Sequence, residues 1–164
     1  NFIVLHQRGS HSPYEKQYPE SFKVFDDPYD NTVLYTDYLI YKVYDYLRKN
    51  SRKETYLVFI SDHGEMLGEV NGKVGHGWFE KEVYTVPYMF FKIHGDSRLR
   101  SVQQAIRCQF DVSSMIAELL GYDTNVEKNN ERTIYVNGSE INTLAGYMRI
   151  ELKGDAIVSR KIIR

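Results

Sequence analysis

The sequence predicts an α/β fold: a mostly parallel sheet flanked by helices, closed by a small β-rich segment at the C-terminus. Apolar runs of the kind that fill buried strands recur at Asn1–Leu5, Thr55–Ile60 and Pro87–Ile93. Segments with helical spacing follow the first and the last of these, and strands alternating with helices form sheets covered on both faces, the usual setting of parallel strands. After Glu131 the pattern shortens to three β-rich runs divided by turn signals.

Each element has its own justification. Asn1-Phe2-Ile3-Val4-Leu5 is expected as a fully buried strand, ended by Gly9, Ser10 and Pro13. No Met opens the chain, and a core strand at the first residue leads to the expectation that neighbouring structure lies upstream, making this a partial domain. A polar, aromatic loop runs to about Asp30. From Asn31 to Asn50, Val33, Ile40, Val43 and Leu47 recur at helical spacing, with Asp30 or Asn31 as cap and Arg48-Lys49 at the negative end of the helix dipole. Tyr29, Tyr35, Tyr38, Tyr41, Tyr44 and Tyr46 are expected to pack this helix rather than bind a ligand. Thr55–Ile60 and Pro87–Ile93 are the second and third buried strands, the proline tolerable at a strand's first position. Asp111–Leu120 reads as a short helix capped by Asp111 and stopped by Gly121. The β-rich end comprises Thr133–Val136, Gly146–Leu152 and Ala156–Ile163, separated by Asn-Gly and Lys-Gly-Asp turns.

Bulk properties exclude some classes. A chain of 164 residues suits one domain, burying roughly 68–70% of the surface its unfolded form exposes. A formal charge of −1 with scattered Lys and Arg offers no basic stripe, so nucleic acid is not an expected partner. The single cysteine, Cys108, excludes an internal disulfide and has no base beside it in a motif, so it reads as a buried structural thiol. No run reaches the roughly 20 apolar residues of a membrane span. The chain itself is expected to be soluble, with any membrane attachment made by the parent protein.

Histidine placement carries the chemistry. Of His6, His11, His63, His76 and His94, four fall just past a predicted strand or in a glycine-containing loop: His6, His11 in Gly9-Ser10-His11, His63 in Asp62-His63-Gly64-Glu65, and His76 in Gly75-His76-Gly77. Open α/β sheets form their sites beyond the carboxyl ends of the strands. If the first two strands are parallel neighbours, His6, His11, Asp62 and His63 come to one rim, and the loop 64–79 can return His76 to it. Imidazole nitrogen and carboxylate oxygen suit a zinc-type ion, so Asp62 and His63 are candidate metal ligands. Such an ion polarises a phosphoryl oxygen and stabilises an attacking oxygen. The remaining histidines are candidates to bind anionic oxygens, protonate a leaving group or hold a second metal. Glu65 is close enough to orient a ligand imidazole. Glycines beside these histidines permit unusual φ and close approach of backbone to substrate. Read alone, Asp62-His63 also fits a simple turn, His6 a core histidine, and His11 and His76 surface positions; His94 reads as a strand-end turn residue.

Taken together, the residues resemble a known family. Phe2-Ile3-Val4-Leu5-His6 with Ser10-His11-Ser12-Pro13-Tyr14, then Tyr18-Pro19, Phe22, Tyr29-Asp30-Asn31-Thr32 through Tyr38, Ser61-Asp62-His63-Gly64-Glu65, Gly68-Glu69 and His76-Gly77 are similar to the C-terminal half of a sulfatase-type catalytic domain of the alkaline phosphatase superfamily. Within that group they look most like bacterial phosphoethanolamine transferases. The resemblance is close over about residues 1–93, and Gln109–Met115 with Leu119-Leu120-Gly121-Tyr122 resembles the helix that follows in that fold.

The resemblance implies a division of the chain into residues 1–125, the C-terminal half of the catalytic domain, and 126–164, a β-rich extension of it. It implies that Asp62 and His63 hold a divalent metal, zinc first and manganese as the alternative. His11 and His76 would meet the transferred phosphoryl group or a second zinc, and His6 would be a further substrate-binding histidine. The implied reaction is a two-step transfer through an upstream threonine, absent from this chain, whose pKa the metal lowers. The implied partners are the missing N-terminal half of the domain and a lipid or glycan carrying a phosphate or sulfate ester. The implied place is the periplasm or the outer face of a bacterial inner membrane.

The sequence departs from the transferase pattern in three places. Phe25-Asp26-Asp27-Pro28 passes straight through where those transferases often carry a cysteine-containing insert, Met66 follows Asp-His-Gly-Glu where a small hydroxyl residue is common, and Ser12 replaces a usual glycine. These put the substrate in question and leave a sulfate or phosphate ester hydrolase, or a non-catalytic binding domain on the same fold, as alternatives.

Overall fold

A computed structural model describes residues 1–93, 109–124, 131–137, 146–153 and 156–163. His94, Cys108 and the boundary expected at 125/126 lie outside the described residues. The chain forms two compact units, one of Asn1–Phe59 with Met89–Arg100 and one of Ile60–Tyr88 with Ser101–Arg164.

The first unit is organised by α1 (Pro28–Asn50), which starts three residues before the expected Asn31. Asp27 is the cap, its carboxylate accepting from the Tyr29 N–H at 2.8 Å, and Pro28 occupies the first turn, where a missing N–H costs nothing. Asn31 is released for another task. Its side chain, 1% exposed, accepts from the N–H groups of Val24 and Phe25, both at 2.8 Å, and donates to the carbonyls of Phe25 at 2.8 Å and Asp27 at 3.2 Å. One amide thus ties the 18–27 segment, which carries a single 3-10 turn at Glu20–Phe22, to the helix. The buried residues of α1 are Asn31 and Thr32, both polar, whereas Val33, expected in the core, is exposed. Tyr29 packs edge-on to Tyr14, Tyr35 on Phe22, and Tyr44 on Phe91, as expected of a packed aromatic stripe; Tyr38 touches Phe22 but is exposed, as are Tyr41 and Tyr46.

Asn1–Leu5 is not a buried strand. It is irregular, and Phe2, Ile3, Val4 and Leu5 are 58–76% exposed. A β-branched run becomes a strand only where another backbone supplies its ladder, and no described residue does so here. The expected strands at 55–60 and 87–93 do form, as β1 (Thr55–Ile60) and β4 (Tyr88–Ile93), paired in a two-stranded sheet. β1 is half-buried along its whole length rather than buried, because full burial on both faces needs a wider covered sheet. Lys92 on β4 reaches Glu54 at 2.6 Å and lies over the ring of Tyr56, whose hydroxyl also donates to Glu54.

In the second unit, the stretch after Ile60 is a hairpin rather than an open loop. β2 (Met66–Leu67) pairs antiparallel with β3 (Val74–Gly75), with Met66 opposite Gly75. Its turn places Asn71 at φ +51° and Gly72 at φ +68°, the two left-handed positions of a type I′ turn closed by Lys73 N–H to Val70 carbonyl at 3.0 Å. A one-turn helix, α2 (Lys81–Tyr84), follows. α3 (Gln109–Leu119) begins two residues before the expected Asp111 and ends as expected at Gly121, φ +89°. There the N–H groups of Tyr122 and Gly121 satisfy the carbonyls of Ala117 and Glu118 at 3.0 and 2.9 Å, a Schellman closure.

The three C-terminal strands form as expected: β5 (Glu131–Asn137), β6 (Tyr147–Lys153) and β7 (Ala156–Ile163) make an antiparallel meander in that order. Met148, Ile150 and Leu152 of β6 alternate inward and are buried; Ile134, Val136, Phe79 and Tyr84 pack on them. The meander therefore rests on the 79–84 segment, and β7 is an exposed edge.

Candidate metal and active site

The site lies in the second unit, on residues that border its strands. Ser61-Asp62-His63 follow the end of β1, Gly64 turns the chain, Glu65 directly precedes β2, and His76 directly follows β3. The Ser61 hydroxyl donates to the His63 carbonyl at 2.8 Å, and the Asp62 carboxylate accepts the His63 N–H at 3.0 Å. Gly64 donates its N–H to the Val83 carbonyl at 2.7 Å, and a Cβ there would stand 1.9 Å from the Glu82 carbonyl oxygen. Glycine is required by space, and the close approach it permits is to the backbone of α2 rather than to substrate. On either side of His76, Gly75 and Gly77 have φ of +79° and +87°, the unusual conformations expected of them.

The resulting geometry centres on His63. Its Nδ1 lies 2.8 Å from the Gly64 carbonyl, which can only accept, so Nδ1 is the donor in that contact. Nε2 is 3.9 Å from Asp62 Oδ2, and Nδ1 is 4.0 Å from Glu65 Oε2. Glu65, only 12% exposed, also stands 3.4 Å from Nδ1 of His76. The two imidazoles stack with centroids 4.0 Å apart and planes 28° from parallel. Donor atoms of His63, Glu65 and His76 all lie within 4.8 Å of one another.

This donor set fits a zinc-type ion. Two imidazoles and carboxylate oxygen are the ligands such ions take, and tetrahedral coordination sets donor atoms about 3.3 Å apart, close to the Glu65–His76 spacing. Asp62, with its carboxylate 85% exposed, faces Nε2 of His63. Glu65, expected only to orient an imidazole, is the carboxylate shared by both rings. The hairpin was legible from Asn71-Gly72, which the histidine pattern overshadows.

His6 and His11 belong to the first unit, and both are exposed. His11 Nδ1 lies 2.6 Å from the Ser12 carbonyl, which can only accept, so Nδ1 is the donor in that contact.

The chain belongs to the sulfatase family: the profile of the family described as Sulfatase matches residues 1–122. Among curated relatives it is similar to phosphoethanolamine transferase EptA of Salmonella typhimurium, 44% identical over 94 residues that make up 46% of this chain and 17% of the relative. It is also similar to EptA of Helicobacter pylori, 32% identical over 54% of the chain and 21% of the relative. Phosphatidylethanolamine transferase Mcr-2 of Escherichia coli is 36% identical over the same shares, 54% and 21%. The chain thus spans about a fifth of the length of these relatives. No solved structure matches it. No helix among the described residues is long and apolar enough to cross a membrane.

Proposed function

We propose that the protein containing this chain is a metal-dependent transferase that moves phosphoethanolamine onto an envelope lipid or glycan, working in the periplasm or at the outer face of a bacterial inner membrane. The observation that carries this reading is the packing of His63, Glu65 and His76 into one donor cluster beside Asp62, in a chain whose relatives are named for phosphoethanolamine or phosphatidylethanolamine transfer. Asp62 and His63 are the proposed ligands of a divalent metal, zinc or manganese, with Glu65 orienting both imidazoles. When bound, the ion supplies charge stabilisation to an attacking oxygen and to the phosphoryl group.

His76 and His11 are proposed at the transferred group and His6 at the substrate. Each presents an imidazole that can donate to anionic oxygen or pass a proton to a leaving group. The nucleophile is a threonine upstream in the parent protein, β1 and β4 belong to a mostly parallel sheet completed there, and residues 126–164 extend the domain. Because loss of a nucleophile removes most of a site's rate, the 164-residue chain by itself is expected to be inactive or nearly so.

The family name favours one second reading, hydrolysis of sulfate or phosphate monoesters on the same site. Incubating the full-length protein with a phosphoethanolamine lipid and, separately, with an aryl sulfate divides the two. Transfer of phosphoethanolamine is expected; turnover of the sulfate ester alone would replace the transferase reading, and turnover of neither substrate would leave a binding domain.

A further inference from the structure

We propose that Thr32 is a positioning residue for His11, acting through the hydroxyl of Ser10. Thr32 is 1% exposed, and its Oγ1 lies 2.6 Å from the Tyr29 carbonyl and 2.6 Å from Ser10 Oγ. A carbonyl only accepts, and a threonine hydroxyl has one proton, so that proton goes to Tyr29 and the Ser10 hydroxyl donates to Thr32. The result is a directed chain, Ser10 to Thr32 to the helix backbone, that ends at the residue before His11. One helical turn further along, Thr36 Oγ1 accepts from Gln7 Nε2 at 3.4 Å. Two hydroxyls spaced by one turn of α1 thus hold the 7–10 segment, which has no ladder of its own and turns through Gly9 at φ +60°. Valine would fill the same volume at position 32; the hydroxyl is what the segment uses.

With Ser10 held and the Nδ1 of His11 committed to the Ser12 carbonyl, the ring of His11 is fixed in direction. The inference rests on the reading of His11 as a histidine at the transferred group. Misplacement of a reacting group by about 1 Å can cost on the order of 100-fold in rate.

The test is a double-mutant cycle on the full-length protein, with phosphoethanolamine transfer as readout. Thr32→Val is expected to lower kcat by about 10- to 100-fold with KM unchanged, and Thr32→Ser to restore most of it. In a His11→Ala background, Thr32→Val should cost nothing further. A full additional loss in that background, or no recovery with Thr32→Ser, would overturn the inference alone. Full activity of His11→Ala would remove the role of His11 and the inference with it. Ser10→Ala, which removes the donating hydroxyl without touching the helix, replaces Thr32→Val in the same cycle if that variant does not fold.

Discussion

The imidazole of His63 stacks on that of His76 at 4.0 Å, with the carboxylate of Glu65 within 4.0 Å of a nitrogen on each ring. A hairpin separates the two histidines in the chain, and its closing turn is what brings them together. Asn71 and Gly72 take the left-handed conformations that a type I′ turn demands.

Gly72→Val is therefore expected to strain the turn, at a cost on the order of 1–2 kcal/mol, and to loosen His76 before it unfolds anything else. Phosphoethanolamine transfer by the full-length variant should slow by more than its loss of thermal stability explains. An unchanged transfer rate in a folded variant would show that His76 is held by something other than the hairpin.

Gly64→Ala addresses the opposite wall. The added methyl would meet the Glu82 carbonyl at 1.9 Å; the methyl's place is set by its own backbone and the carbonyl is backbone, so neither can rotate away. Overpacking of this kind costs about 1–3 kcal/mol or more, and displacement of His63 should abolish metal binding at micromolar metal. A variant with normal stability and normal metal content would contradict the packing described at α2.

Asn31→Ala removes the amide that serves Val24, Phe25 and Asp27. Leaving buried donors without a partner costs about 1–3 kcal/mol, read as a lower unfolding midpoint in urea at constant slope. Asn31→Asp, which keeps the acceptor and loses the donor, should fall between.

Tyr84 gives a pH dependence. Burial raises its phenol above the ordinary 10.0, opposed by the positive charge of Arg160. The folded state then holds this proton to higher pH than the unfolded state, so the tyrosine's contribution to stability is complete below about pH 10 and is lost as pH rises through the folded value. Its hydroxyl is also buried without a hydrogen-bond partner in the structure. Tyr84→Phe is accordingly expected to be neutral or stabilising by up to about 1 kcal/mol near pH 8 and to flatten the alkaline decline. Loss of more than that at pH 8 would show that the hydroxyl is satisfied.

These outcomes also indicate how much was legible beforehand. Local patterns read well: β6 alternates Met148, Ile150 and Leu152 inward as its sequence does, and Gly121 ends α3 by the Schellman closure its position suggests. Long-range requirements did not. Phe2–Leu5 has the composition of a core strand, but composition cannot supply a ladder partner, and the segment is exposed. Asn31 looked like a cap because asparagine caps helices; its use as a tie to the 18–27 segment depends on a path that no local rule gives. In the site, Asp62, His63, Glu65 and His76 were visible as chemistry, while the shared position of Glu65 depended on the hairpin register that sets Met66 against Gly75.

In the proposed function, Asp62 and His63 are the ligands of a divalent metal just past the end of β1. The most direct measurement is the metal content of the full-length protein purified without chelator, wild type against Asp62→Ala and His63→Ala, by elemental mass spectrometry. The account predicts about one zinc or manganese per chain in the wild type and its loss in both variants. Wild-type protein without stoichiometric metal, or variants that retain it in full, would contradict the account.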